Sequence, residues 1–168
     1  MLDIPSGERV YIDSSIWIIH HSTDLPFKNE CTEFLRLVEL GTYKAYISTL
    51  VVDEVTYILL KQKASELLGE DSHYRILKAL KTDDNLFLQC WKTAQLHVNY
   101  ILALKEKGVL GIITQMPDLE AFSSTLDAFH LLPRNATHLS IIFSLNIPHL
   151  VTTDHDFDRV EGIKVWKP

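Results

Sequence analysis

The order in which β-prone and helix-compatible runs alternate along the chain restricts its fold more than any other feature. Arg9-Val10-Tyr11-Ile12 is a short β-prone run that ends at Asp13-Ser14-Ser15 and passes at once into a helix-compatible stretch, Ile16 to His21. Asn29 to Leu40 is amphipathic and stops at Gly41, Lys44 to Ile47 reads as a second strand, and Ser48 is placed to cap the next helix. That helix runs from about Thr49 to Gln62. A helical middle follows from Ala64 to Lys107, interrupted near Thr82-Asp83-Asp84-Asn85 and closed by Gly108. Val109 to Thr114 is a third strand candidate and Pro117 to Leu132 a helix; Pro133-Arg134 opens the next helix, which ends near Asn146. His149 to Thr153 and Ile163 to Trp166 supply a fourth and a fifth strand.

Strands separated by helices imply an α/β domain with a mostly parallel sheet of about five strands and helices on both faces. Ligands of such sheets bind outside the carboxyl ends of the strands, which directs attention to Asp13 after the first strand and Asp154 after the fourth. At 168 residues, with 46% hydrophobic and 23% charged residues and no Gly/Ser or Pro-rich linker, the expectation is one domain over 1–168 that folds throughout. No apolar run reaches the roughly 20 residues of a membrane span, and Met1-Leu2-Asp3-Ile4-Pro5-Ser6 lacks the charged and apolar regions of a signal peptide. The expected location is the cytoplasm, with no membrane partner. Cys31 and Cys90 have neither zinc-site nor redox spacing and read as buried or idle thiols. A net charge of −6 argues against wrapping nucleic acid by bulk electrostatics. It leaves room for a metal-dependent nuclease, since a cation held by local carboxylates reverses the local charge.

Three acidic features stand out. Asp13 follows an apolar strand directly, where it could cap the next helix or project into a site. Glu54 falls between Leu50, Val51, Tyr57 and Ile58 on the apolar arc of its helix, whereas Asp53 points away. A carboxylate facing a core requires a partner, a proton or a metal ion, unless it snorkels at the edge. Asp154, Asp156 and Asp158 crowd the loop after the fourth strand, with Phe157 available to anchor it. An acidic loop is ordinarily a solvated one; its position at a strand's carboxyl end gives it weight.

Four segments, Val10 to Ser15, Ile47 to Glu54, Leu132 to Leu139 and Leu150 to Phe157, together resemble the PIN-domain family, and particularly its VapC-like toxin branch. The resemblance spans about Val10 to Val165. It implies a three-layer α/β/α fold and a ribonuclease that uses Mg²⁺ or Mn²⁺ and leaves a 5′-phosphate and a 3′-hydroxyl. It also implies an RNA substrate, a cognate antitoxin and a two-fold homodimer. Asp13, Glu54 and Asp154 fill three of the family's four acidic positions, and Asp156 assists Asp154 or replaces it in part. The fourth position holds Asn135, which keeps one carbonyl oxygen but loses the charge, and so weakens binding of a cation that prefers anionic oxygens. Asn135 lies in a first helical turn, where the positive helix end favours a bound anion, although Asn is also a good N-cap. Both a natural variant and a change made to silence a toxic enzyme account for it, and the otherwise intact set favours the second.

The remaining site residues are contacts expected near this set. Ser14, Thr153 and His155 are candidate substrate contacts, and Thr152 and Thr153 could orient water or merely satisfy backbone groups. No pair of histidines has metal-ligand spacing, so His138, one turn after Asn135, is expected to pack or hydrogen-bond. The apolar helical middle, with Trp91, Leu96, Tyr100 and Ala103, offers a dimer face or ordinary core packing. Competing functions are a housekeeping RNA-processing nuclease and a catalytically silent PIN module that binds RNA or protein. A haloacid-dehalogenase-type phosphatase is disfavoured because Asp13-Ser14-Ser15 lacks a second Asp.

Overall fold

The computed structural model describes residues 3–22 and 25–168; residues 1, 2, 23 and 24 of the expected domain lie outside the described ones. The elements are β1 (Arg9–Ile12), α1 (Ser14–His21), α2 (Lys28–Glu39), β2 (Lys44–Ser48), α3 (Thr49–Leu68), α4 (His73–Thr82), α5 (Asp84–Glu106), β3 (Leu110–Ile113), α6 (Leu119–Phe129), α7 (Pro133–Ser144), β4 (His149–Val151), a 3₁₀ turn (His155–Arg159) and β5 (Lys164–Trp166). All strand pairings are parallel, in the order β3-β2-β1-β4-β5. The result is the three-layer α/β/α arrangement with a five-stranded sheet that the strand–helix alternation implies.

The central position of β1 explains its composition. Val10, Tyr11 and Ile12 are all fully buried, as a parallel strand covered on both faces requires. From β1 the chain winds outward through β2 to β3, then returns to the other side of β1 to place β4 and β5. Winding therefore reverses between β1 and β4, and a crevice opens at the carboxyl ends of two strands whose crossovers leave in opposite directions. Asp13 and Thr152 stand at those two ends.

The helical middle divides differently from its expected form. Nothing in Gln62-Lys63-Ala64-Ser65 breaks a helix, so α3 continues to Leu68 and ends where Gly69 takes a left-handed φ of 59°. The expected break near Thr82 is real: the Asp83 side chain accepts from Leu86 N at 3.0 Å and starts α5. Asp118 likewise accepts from Ala121 N at 2.7 Å, so α6 begins after Pro117, and it ends three residues before Leu132. α3 packs against α1, α4 and α5, while α6 packs on α7. A small second core of Ala64, Ile76, Leu86 and Cys90 fills the space beneath α3, α4 and α5. Cys31 and Cys90 are both buried free thiols. Among the described residues, no helix is long and apolar enough to cross a membrane.

Candidate active site

Asp13 stands between β1 and α1. Its backbone N–H still pairs with Val151 O at 3.0 Å, and its Oδ2 accepts from Ser15 N at 3.3 Å, so it does cap α1. The same oxygen also accepts from the Thr152 hydroxyl at 2.8 Å, across the crevice. Thr152 in turn accepts from Asp154 N at 2.9 Å and thereby ties the ends of β1 and β4 together. Thr153 contributes its backbone N–H, which donates to the Ser15 hydroxyl at 3.1 Å.

Glu54, on the second turn of α3, is buried, as its place on the apolar arc demands. Its Oε2 lies 3.0 Å from His138 Nε2, and its Oε1 lies 3.5 Å from the exposed Arg134 guanidinium. Burial pushes this carboxyl up, but the hydrogen bonds from His138 and the Ser14 hydroxyl and the nearby Arg134 guanidinium together outweigh burial and hold it below the usual carboxylate range. Ser48 occupies the N-cap position of α3, yet its hydroxyl does not cap the helix; it pairs with the Tyr11 phenol at 2.7 Å. That phenol meets His138 Nδ1 at 2.8 Å. Burial, first of all, holds the Tyr11 hydroxyl far above its ordinary range, so it stays protonated.

Asn135 is not the N-cap of α7, which is Leu132, but sits in the first turn. Its Nδ2 donates to Asp154 Oδ2 at 2.8 Å and to Asp156 Oδ2 at 3.3 Å. Asp154 caps the 3₁₀ turn by accepting from Asp156 N at 2.9 Å. Phe157 is fully buried and pins this turn to the core. Asp156 also meets Arg159 at 3.3 Å, and Lys167 Nζ donates to Asp154 O at 2.7 Å.

The structure thus brings the sequence-derived residues together in two linked groups. One oxygen each from Asp13 and Glu54 and one nitrogen of His138 all lie within 4.8 Å of one another. Asn135, Asp154 and Asp156 are joined by direct hydrogen bonds. Thr152 links the groups at one side, and α7 links them at the other by carrying both Asn135 and His138. Ser14 neighbours Glu54. The His155 side chain is 85% exposed and paired with Asp158 at 2.8 Å. Of the histidine expectations, His138 does hydrogen-bond. What the sequence reading missed is that its partner is Glu54, that Tyr11 and Ser48 stand behind it, and that Arg134 and Lys167 face the acids. His138 falls three residues after Asn135, hence on one helix face, and that was the available signal; for Lys167 there was none.

The donor set fits a divalent cation. Two buried or nearly buried carboxylates with an imidazole beside them, and two further carboxylates bridged by an amide, are mainly hard oxygen donors concentrated at one sheet end.

A family model for the PIN domain matches residues 10–163. Among solved structures, the chain is similar to VapC20 from Mycobacterium tuberculosis, a sarcin-ricin loop cleaving toxin, at 11% identity and a TM-score of 0.52, over 92% of this chain and 96% of that one. It is similar to PAE2754 from Pyrobaculum aerophilum at 16% identity and a TM-score of 0.54, over 95% and 89%. VapBC2 from Rickettsia felis, solved with a DNA fragment from its promoter, is 14% identical with a TM-score of 0.53, over 95% and 98%. Identities this low speak to the fold. No curated protein matches the chain.

Proposed function

The chain belongs to the PIN-domain family, and on that premise we propose that it is a metal-dependent endoribonuclease acting as the toxin of a toxin–antitoxin pair. The observation that carries this reading is the approach of Asp13, Glu54 and His138 donor atoms within 4.8 Å at the crevice between β1 and β4. Asp13, Glu54 and Asp154 are proposed to hold Mg²⁺ or Mn²⁺, with Asp156 assisting and Asn135 contributing its carbonyl oxygen. When bound, such an ion acidifies a water molecule and neutralises charge on a phosphate.

The chain's own groups do the rest. Thr152 fixes the orientation of Asp13, Ser14 and Arg134 face Glu54, and Arg134, at the first turn of α7, offers a guanidinium to an RNA phosphate. Thr153 and His155 are proposed to contact RNA at the rim. Glu54 or Asp154 is proposed to accept the proton from the attacking water. Asn135 lowers the charge of the set and so weakens both cation binding and activity. The partners implied are an antitoxin protein and a second copy of the chain. For the latter, Leu96 is 70% exposed on α5, which also carries Trp91, Tyr100 and Ala103.

One observation favours a second reading. Asn135 donates to both Asp154 and Asp156 and quiets that acidic pair without an ion, as a silent module that only binds RNA or protein would require. Incubating a single-stranded RNA pool with the chain, Asn135→Asp and Asp13→Ala, with Mn²⁺ or with EDTA, separates the two. The nuclease reading expects Asn135→Asp to cleave more than tenfold faster than the parent, equivalent to at least roughly 1.4 kcal/mol of transition-state stabilisation. It expects cleavage to vanish in EDTA and in Asp13→Ala. No cleavage by any form would favour the silent module.

A further inference from the structure

Four side chains from four elements form a buried hydrogen-bonded chain that ends on Glu54. The Ser48 hydroxyl of β2 lies 2.7 Å from the Tyr11 phenol of β1, the phenol lies 2.8 Å from His138 Nδ1 on α7, and His138 Nε2 lies 3.0 Å from Glu54 Oε2 on α3. Ser48, Tyr11 and His138 are each at most 1% exposed, so their polar atoms must satisfy one another. The proton directions follow from the end of the chain. A carboxylate only accepts, so the His138 proton facing Glu54 is carried on Nε2. A neutral ring protonated there has its lone pair on Nδ1, the atom that the Tyr11 hydroxyl meets. Tyr11 has a single proton and gives it to Nδ1, so Ser48 must give its own to Tyr11. One donor meets one acceptor at every link.

We infer that His138 is a positioning residue: braced by Tyr11 and Ser48, it holds Oε2 of Glu54 and so fixes the carboxylate, whose Oε1 lies 3.5 Å from Arg134. This rests on the reading of Asp13 and Glu54 as cation-holding residues. The opposite arrangement puts the proton on Nδ1, donated to Tyr11, and frees the Nε2 lone pair to bind the cation directly. The two arrangements are mutually exclusive and differ at an observable atom.

¹⁵N NMR of the full chain without metal, at neutral pH, reads that atom. The expected His138 ring is protonated at Nε2 and bare at Nδ1; a ring protonated at Nδ1 overturns the inference. Calorimetric Mn²⁺ titrations read the consequence. His138→Leu should weaken binding roughly 10–100-fold, as is usual when a group orienting a metal-holding carboxylate is lost. His138→Gln, whose amide N–H can take the place of Nε2–H, should recover most of that loss. Unchanged affinity in a folded His138→Leu, or equal loss in both variants, overturns the positioning role. If His138→Leu fails to fold, Tyr11→Phe, which removes only the brace, should still weaken Mn²⁺ binding several-fold, and no change there overturns the inference. Asp13→Asn isolates the underlying reading. If it binds Mn²⁺ as the parent does, the metal centre is misassigned; if it loses binding while His138→Leu does not, only the role of His138 fails.

Discussion

Asn135 shows what a single residue's surroundings add to its identity. Its place in the acidic set was legible from the segment Leu132 to Leu139, because the spacing from the strand and the first helical turn both survive in the sequence. Its bonding was not, since Asp154 and Asp156 lie 19 and 21 residues away and meet it only after β4 has docked. Those bonds set a prediction. Asn135→Asp replaces a donor with a third carboxylate and removes hydrogen bonds to charged acceptors, discounted for partial exposure to about 1–2 kcal/mol. Metal-free Asn135→Asp should therefore melt below the parent, and saturating Mn²⁺ should raise its melting temperature by more than it raises the parent's. Scanning calorimetry with and without Mn²⁺ checks both signs. Glu54 was legible for a different reason: a carboxylate on an apolar helical arc is a conflict that periodicity exposes, whereas the His138 that resolves it comes from a helix 84 residues away.

At the scale of elements, strands and capped helix starts were readable because their signals are local. β1 matches its expected bounds, and α7 begins at Pro133 as the first-turn proline implies. The end of α3 was misplaced by several residues because no breaker precedes Gly69. The contact of α1 with α5 had no sequence signal at all. There His21 Nε2 lies 2.9 Å from His97 Nδ1, and Trp17 packs edge-on against His97. Burial, then the neighbouring histidines, pushes His97 down to about 3; burial, then His20 and Lys28, pushes His21 down to about 4. Above pH 6.5 neither the folded nor the unfolded chain protonates these rings, so they leave stability unchanged. Between pH 6.5 and about 4 the unfolded chain takes up protons that the folded chain refuses, and stability falls as pH falls. The melting temperature should drop steadily from pH 6.5 to pH 4.5, and His97→Phe should make that decline shallower. A slope that is the same in both proteins would assign it to other groups.

For the whole molecule, winding order decides where chemistry is possible. Alternation along the sequence implied a parallel sheet but did not state that β1 lies between β2 and β4. That neighbour relation, set by long-range pairing, brings Asp13 and Asp154 from two distant strand ends to the same crevice. The same relation makes Thr152 the tie between them. On the proposed function, this crevice holds a divalent cation. Anomalous diffraction from Mn²⁺-soaked crystals tests it directly. The expected peak lies in the crevice between β1 and β4, reached from Asp13 and Glu54 by direct bonds of about 2.1 Å or through one water, and is absent in Asp13→Ala. A peak elsewhere on the surface with none in this crevice, or one that persists unchanged in Asp13→Ala, would contradict it.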